Sequence, residues 1–223
     1  MKNETENQLK TLLLIFNEVD FLEDSAVENL FDRFPVIQNQ GIENLIVYID
    51  ILDFSSFASA SPASASDVLE HDAADKKELL IRVLSEKIRS VSEKFGLNNS
   101  FIISDYNQPP TFSQSGEFSV YFALGFGGRN ELKHILSDFI EKCRSGELSA
   151  SEMTSAFISS HLLFPFVPDF ILSGSKNTLT DFMIWQTAYS EYFYLGKDLS
   201  RLTDSDFRNA FESFRKRGRR YGV

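Results

Sequence analysis

Leu12-Leu-Leu-Ile-Phe16, followed after a helical interval by Leu45-Ile-Val-Tyr-Ile-Asp-Ile51, decides the fold class of this 223-residue chain. Each run is short and almost continuously apolar, as a strand buried on both faces of a sheet must be. Between them Leu22, Ala26, Val27, Leu30, Phe31 and Phe34 recur at helical spacing, and Ser25 with Glu28 has the pattern of a capping box. Strand, helix, strand in that order predicts a parallel crossover unit.

Beyond this unit, residues 55–75 are dominated by Ser and Ala, with few large apolar side chains to fix them, and read as a mobile loop. An amphipathic helix follows, with Leu79, Leu80, Val83, Leu84, Ile88, Val91 and Phe95 on one stripe and Gly96 placed to end it. Phe101–Ser104 and Phe118–Leu124 read as strands on either side of a turn-rich stretch containing Pro109, Pro110 and Gly116. Gly127-Gly128 lead into a helix with Leu132, Ile135, Leu136, Phe139, Ile140 and Cys143 inward. Ser149 and Glu152 form a second capping-box pattern, opening a short helix through Phe157. Phe170–Leu172 is a short strand, and a last helix from about Thr203 buries Phe207, Ala210, Phe211 and Phe214. The alternation predicts an α/β fold, a mostly parallel central sheet flanked by helices, within one domain spanning 1–223.

Composition narrows the functional classes. A formal charge of −10 with no nucleic-acid reading motif argues against a nucleic-acid partner. Twenty-two Phe supply a large core, or a wall facing something oily. Cys143 is the only cysteine, which removes disulfide frameworks and thiolate metal clusters and predicts a buried core thiol. No apolar run reaches membrane-spanning length, and the acidic start lacks a positive region, so a cytoplasmic protein is expected, peripheral to a membrane at most. His161 reads as a hydrogen-bonded structural residue, His134 as a helix-surface residue and His71 as part of the mobile loop. Asn17, Glu18 and Asp20 form a small polar cluster at the end of the first strand that has the donors to bind a metal, but a lone acidic cluster of this kind is expected to be solvated.

From Phe118 onward the chain carries an ordered series of short motifs. These are Phe122-Ala-Leu-Gly-Phe-Gly-Gly-Arg-Asn-Glu131, Gly146-Glu-Leu-Ser149, Ser159-Ser-His-Leu162, Pro168-Asp169, Trp185-Gln186, Ala188-Tyr-Ser-Glu191 and Arg219-Arg-Tyr-Gly222. In order and spacing the series resembles the cis-prenyltransferases, the undecaprenyl and dehydrodolichyl diphosphate synthases, with Gly125 standing where that family usually has Asn. Before Phe118 the likeness is one of architecture alone.

The family opens with a strand followed by Asp-Gly-Asn-x-Arg-Trp, a loop that holds the allylic diphosphate and whose Asp helps place magnesium. Here Asn17 stands in the place of that Asp, and no Gly, Arg or Trp follows. The family's Phe-Ser-x-Glu-Asn-Trp landmark is replaced by Ile49-Asp-Ile-Leu-Asp-Phe54 and the Ser/Ala loop. In the segment Ile171–Thr180, Leu172 and Thr178 stand at the two family Arg positions, leaving Lys176 as the nearby cation. Chain elongation holds two diphosphates together, and losing one electrostatic group commonly costs on the order of a hundredfold in rate. Several losses together imply that this chain contributes no catalytic residue of its own.

The C-terminal end has the opposite character. In the family the Arg-x-Gly tail reaches a neighbouring subunit's active site, where it contacts isopentenyl diphosphate. The eukaryotic Nogo-B receptor type of subunit lacks its own catalytic loop, keeps that tail and activates a catalytic partner. The resemblance therefore implies a non-catalytic subunit of a heteromeric cis-prenyltransferase that makes long-chain polyprenyl diphosphate. Arg220 and Gly222 would serve isopentenyl diphosphate in trans, and Mg2+ would be held mainly by the partner. Trp185, Tyr189, Tyr192 and Phe193 would lie at the subunit interface. Glu191 would approach metal or stabilise the dimer, with a purely structural role as the alternative. The rival expectations are a divergent homodimeric enzyme with an altered isoprenoid substrate, and an inert scaffold that has kept only the fold.

Overall fold

A computed structural model describes residues 9–51, 73–104, 117–125, 127–174 and 180–217. Its centre is a six-stranded, all-parallel sheet with order β3-β4-β2-β1-β5-β6. The strands are β1 (Thr11–Asn17), β2 (Asn44–Asp50), β3 (Ser100–Ile103), β4 (Ser119–Leu124), β5 (Phe170–Ser173) and β6 (Glu191–Tyr194). The helices are α1 (Asp24–Gln38), α2 (Ala73–Lys94), α3 (Gly128–Ser145), α4 (Ser155–His161) and α5 (Asp204–Lys216).

The continuous apolar runs are explained by burial on both sheet faces. Leu12, Leu14 and Phe16 of β1 join Val47, Phe122 and Phe170 in a core packed under α1, α2 and α5. Leu13 and Ile15 point the other way, joining Tyr48, Tyr121, Phe164, Phe182 and Met183. Tyr48 stacks on Phe182 with ring centroids 4.1 Å apart, so the chain after β5 closes the second face with aromatic surface.

Strand order reverses between β1 and β5: β2, β4 and β3 lie to one side, β6 to the other. Parallel sheets bind ligands in the crevice beyond the carboxyl ends of the strands at such a switch point. In this chain the crevice lies between Asn17, ending β1, and Gly174, following β5.

Several sequence expectations change in detail. The Ser25–Glu28 box does not form; Glu23 is the N-cap, without a side-chain cap. A 3-10 turn at Glu18–Phe21 delivers the chain into the helix already at Asp24, which leaves Ser25 inside the first turn. Glu28 instead pairs with Lys94 of α2 at 2.7 Å. Ala73–Asp75, assigned to the loop, open α2, while the rest of the Ser/Ala segment and the Pro109–Gly116 stretch lie outside the described residues.

On α3 the buried stripe is narrower than its apolar pattern. Gly128, Glu131, Ile135 and Phe139 face inward, Leu136 and Ile140 are 44% and 49% exposed, and Cys143 is half-buried. This helix packs on the outside of the molecule, so it needs only one row of contacts. The Ser149–Glu152 box forms as expected but caps a 3-10 turn, and Thr154 starts α4 separately. Strand β6 escaped the sequence reading because Glu-Tyr-Phe-Tyr is a four-residue, half-buried edge strand. Among the described residues no helix is long and apolar enough to cross a membrane.

Candidate functional site

The turn after β1 is closed upon itself. Asn17 Oδ1 accepts the Asp20 backbone N–H at 3.2 Å, and Asp20 Oδ2 accepts the Asn17 backbone N–H at 3.1 Å. Asp20 Oδ1 also accepts the Leu199 backbone N–H at 3.3 Å, which ties the turn to the chain before α5. Lys87 of α2 donates to the carbonyls of Phe21 and Leu22, holding the far end of the turn. Glu18, expected to be solvated, is only 2% exposed, because as the first residue of a capped turn it faces inward.

Beside this turn a cleft of about 360 Å³ is lined by Asn17, Val19, Asp20, Glu23, Ala26, Asp198 and Ser200. Among the described residues of this lining three are carboxylates and none is a cation. Such a wall repels a diphosphate, which a cradle of free N–H groups and guanidinium would attract.

At the other strand ends, Leu172 is fully buried within β5 opposite Leu14, so it cannot replace a substrate-facing arginine. The strand reaches the crevice with Ser173, itself buried, and then Gly174. Gly174 N–H donates to Ile15 O at 3.0 Å, and a Cβ there would meet the Phe16 ring at 2.8 Å. Lys176 and Thr178 lie outside the described residues.

The structure adds a cation that sequence reading missed. Lys77 Nζ of α2 donates to Gly125 O, just beyond β4, at 2.8 Å. Gly125 has φ +68°, and a Cβ there would stand 2.8 Å from Lys77 Cε. The Gly in place of the family's Asn is therefore the signal that could have pointed to this lysine.

Among the described residues, the motif residues around Gly128, Glu131, Asp181 and Trp185 build a joint. Gly128 N–H donates to Asp181 O at 3.0 Å, and the Arg129 N–H donates to Asp181 Oδ2 at 3.1 Å. A Cβ on Gly128 would lie 2.1 Å from Asp181 O, so the paired glycines permit this approach. The Asp181 carboxylate also sits at the positive end of α3, where it is favoured.

Glu131 accepts the Leu163 N–H at 2.7 Å. Burial pushes its pKa above the usual carboxylate range, against the lowering effect of that hydrogen bond. Trp185 Nε1 donates to Ser159 Oγ at 3.0 Å, and Gln186 Nε2 to Phe164 O at 3.3 Å. His161 stacks on Phe157 at 4.0 Å with Nδ1 2.8 Å from Phe157 O, the structural role its sequence context predicts. His134 is exposed on α3, and His71 lies outside the described residues.

Of the expected interface residues, Tyr189 is 67% exposed and Trp185 36%, with Ile184 and Val167 also exposed. Tyr192 and Phe193 are half-buried, and Phe193 packs on Phe170 with centroids 6.4 Å apart. Burial raises the Tyr192 hydroxyl pKa, partly offset by a hydrogen bond with Thr187.

Glu191 is held by its own chain: Arg217 Nη1 donates to Glu191 Oε2 at 3.0 Å and to Tyr192 O at 2.7 Å. Glu191 pairs with Phe170, which pairs with Leu12, whereas Asn17 stands at the far end of β1. The offset from Leu12 to Asn17 is about 16 Å along the strands, at roughly 3.3 Å per residue. Glu191 and Asn17 therefore occupy opposite ends of the sheet. Arg220 and Gly222 lie outside the described residues.

These donors do not fit a resident magnesium ion. Asn17, the last residue of β1, is an amide whose oxygen already accepts a backbone N–H, and Glu191 is engaged by Arg217 at the other end of the sheet. Among the described residues no group of three or more His, Cys, Asp or Glu side chains is placed to hold a metal.

Comparison with known proteins places this geometry in a family. The family described as "Putative undecaprenyl diphosphate synthase" matches residues 58–222. An isoprenyl transferase of Shouchella clausii (strain KSM-K16) is 36% identical over 104 residues, 45% of this chain and 40% of that protein. One from Thermotoga maritima is 27% identical over 151 residues, 66% of this chain and 64% of that protein. The chain thus spans about half the length of the curated relatives it matches.

Among solved structures, the fold is similar to lavandulyl diphosphate synthase from Lavandula x intermedia in complex with dimethylallyl diphosphate. The TM-score is 0.72 at 17% identity, covering 98% of this chain and all of that one. A "probable undecaprenyl diphosphate synthase" from Campylobacter jejuni gives a TM-score of 0.67 at 20% identity, covering 97% and 100%. With most of its length matched by the family and the whole sheet shared with these structures, the chain belongs to the cis-prenyltransferase family, that of the undecaprenyl diphosphate synthases.

Proposed function

We propose that this chain is a non-catalytic subunit of a heteromeric cis-prenyltransferase, paired with a homologue that retains the Asp loop, its arginines and the magnesium ion. The complex condenses isopentenyl diphosphate onto an allylic diphosphate to make a long-chain polyprenyl diphosphate. The observation that carries this reading is the Asn17–Asp20 box. It commits the groups that would cradle a diphosphate to one another, beside a cleft lined by carboxylates. Support also comes from the other end of the sheet, where α5 ends and its C-cap Arg217 bonds Glu191 at the start of β6, far from the chain's own β1 turn.

In this reading Arg220 supplies a guanidinium to the partner's substrate, and Gly222 a backbone N–H free of side-chain hindrance. Exposed Trp185 and Tyr189 belong to the face that meets the partner. Co-expression with a catalytic homologue tests it. Arg220→Ala should lower activity of the purified complex on the order of a hundredfold without dissociating it; a fully active variant complex rules the trans role out.

Lys77 favours one alternative, a divergent homodimer in which this lysine at the end of β4 replaces the lost cations. That reading requires the purified chain to turn over labelled isopentenyl diphosphate by itself, and Lys77→Ala to abolish the turnover.

A further inference from the structure

The two outer edges of the sheet are finished differently. At β6 the Glu191 N–H donates to Asp169 O at 3.3 Å and the Leu195 N–H to Ser173 O at 2.8 Å, so alternate residues from Glu191 face β5. Tyr192 therefore turns its backbone to the open side, where its carbonyl accepts from Arg217 Nη1 at 2.7 Å. At β3 the Val120 N–H donates to Asn99 O at 2.9 Å, and Ser100 pairs with Val120. Phe101 and Ile103 consequently bond β4, while Ser100 and Ile102 turn their backbone N–H and C=O groups outward. Among the described residues nothing pairs with these outward groups. The strand reads Ser-Phe-Ile-Ile, short but without the Pro or charge that keeps an edge from pairing with another strand.

A groove of about 440 Å³ follows this edge, lined from β3 by Ser100 and Ile102 and from α2 by Arg89, Ser92 and Glu93. The two charges identify its occupant. Ser92 Oγ lies 3.2 Å from Ser100 Oγ, which sets Glu93, the next residue, about level with Ser100. Because α2 runs from the end of β2 to the start of β3, antiparallel to the strands, Arg89 lies one turn farther toward Ile102. Arg89 to Glu93 is about 6 Å along the helix and Ser100 to Ile102 about 7 Å along the strand, so the spacings match. Both residues are exposed, and neither is paired with a described residue.

A second copy turned about a twofold axis through Phe101 lays its β3 antiparallel to the first. Ser100 then faces Ile102 of the second copy, and each such pair exchanges two backbone hydrogen bonds. In the same arrangement Arg89 stands opposite the second copy's Glu93, and Glu93 opposite its Arg89. Phe101 meets its own counterpart in the close, non-hydrogen-bonded position, where aromatic pairs pack well. Its ring is already stacked on Tyr121 with centroids 5.3 Å apart. A strand of one charge would match only one of the two α2 residues; a second copy matches both.

We propose that β3 is a self-association edge: two copies of this chain join through antiparallel β3 strands into one continuous sheet. The contact lies at the opposite edge of the sheet from β6, and it does not rest on the function proposed above.

The test uses the purified full-length chain. Sedimentation equilibrium over a concentration series should give a monomer–dimer equilibrium. Ile102→Pro lacks only an outward N–H and leaves the β4 ladder intact, so it should weaken dimerisation on the order of tenfold while the monomer keeps its fold. Arg89→Glu and Glu93→Arg should each weaken it severalfold, and the two combined should restore it, since the swapped charges meet again across the axis. These surface changes decide the matter should Ile102→Pro not fold. In a Cys143→Ser background, Phe101→Cys should form a disulfide-linked dimer on mild oxidation, because that position brings Cα atoms about 4.5 Å apart.

A chain that stays monomeric throughout, or a folded Phe101→Cys variant that gives no linked dimer, overturns the inference. So does a dimer indifferent to Ile102→Pro and to both charge reversals, whose contact must lie on another face. If hydrogen exchange at Ser100 and Ile102 slows only when a catalytic homologue is added, the edge takes a strand of that partner and self-association falls.

Discussion

The turn after β1 and the joint between α3 and the Asp181–Gln186 segment both sit on one parallel sheet, and both satisfy their polar groups locally. They do so with opposite consequences. In the turn, Asn17 and Asp20 bond one another and close the place where a diphosphate loop would open. In the joint, Gly127-Gly128, Glu131, Asp181, Trp185 and Gln186 bond across elements far apart in sequence and hold the C-terminal half in register. The residues that brace the C-terminal half of the sheet are thus distinct from those of the β1 turn, so each region can be altered without touching the other.

The largest effect that could break this contrast is steric. Gly128→Ala places a Cβ 2.1 Å from Asp181 O, where backbone must move. We expect a loss of about 3 kcal/mol or more, read by denaturant melts. An unaffected melt would mean that the joint does not carry the C-terminal half. The same substitution at Gly146, where a Cβ meets nothing within 4 Å, is the control: only the strain of its φ of +82° remains, about 1 kcal/mol.

Next in size is the start of α5, which sets the path of the C-terminal segment. Asp206 accepts from the Thr203 backbone at 2.9 Å, from its hydroxyl at 2.7 Å and from Lys197 Nζ at 2.6 Å. Partial burial alone would raise its pKa, but the hydrogen bonds from Lys197 and Thr203 outweigh burial and lower it. A depressed carboxylate pKa contributes stability that is present above the unfolded value and is lost as pH falls through the folded one. Asp206→Ala should therefore cost about 1 kcal/mol at neutral pH, and the difference from wild type should shrink in acid. A difference independent of pH would remove the charge from the explanation.

The smallest effect has the opposite sign. Burial raises the Glu131 pKa, so the folded state holds its proton at a pH where the unfolded chain has released it. Ionisation thus costs stability progressively as pH rises from the unfolded value through the folded one. Glu131→Gln keeps an oxygen for the Leu163 N–H and removes that cost. The variant should match or slightly exceed wild type at neutral pH, and fall behind it as the pH is lowered through that window. A variant much weaker at neutral pH would show that the ionised form braces the joint.

Much of the fold was legible in residues 12–51, because a strand buried on both faces must be apolar throughout, and two such runs around an amphipathic helix admit few topologies. The last helix was equally plain: Phe207, Ala210, Phe211 and Phe214 are all buried where its period puts them. What escaped reading lay in weak or distant signals. The apolar pattern of α3 promised a wider buried face than an outer helix needs, so Leu136 and Ile140 were misplaced. Lys77 meets Gly125 across 48 positions, and Arg217 meets Glu191 across 26. No local period links such pairs; only the closed sheet brings them together.

One measurement bears most directly on the contrast between a closed turn and an intact brace: incorporation of labelled isopentenyl diphosphate with magnesium present, by the purified chain alone and by its complex with a catalytic homologue. We predict no elongation by the chain alone, and elongation by the complex that exceeds the homologue's own rate and depends on Arg220. Elongation by the isolated chain at the rate of the complex would contradict the proposal, because the Asn17–Asp20 turn would then have to open onto a working diphosphate site.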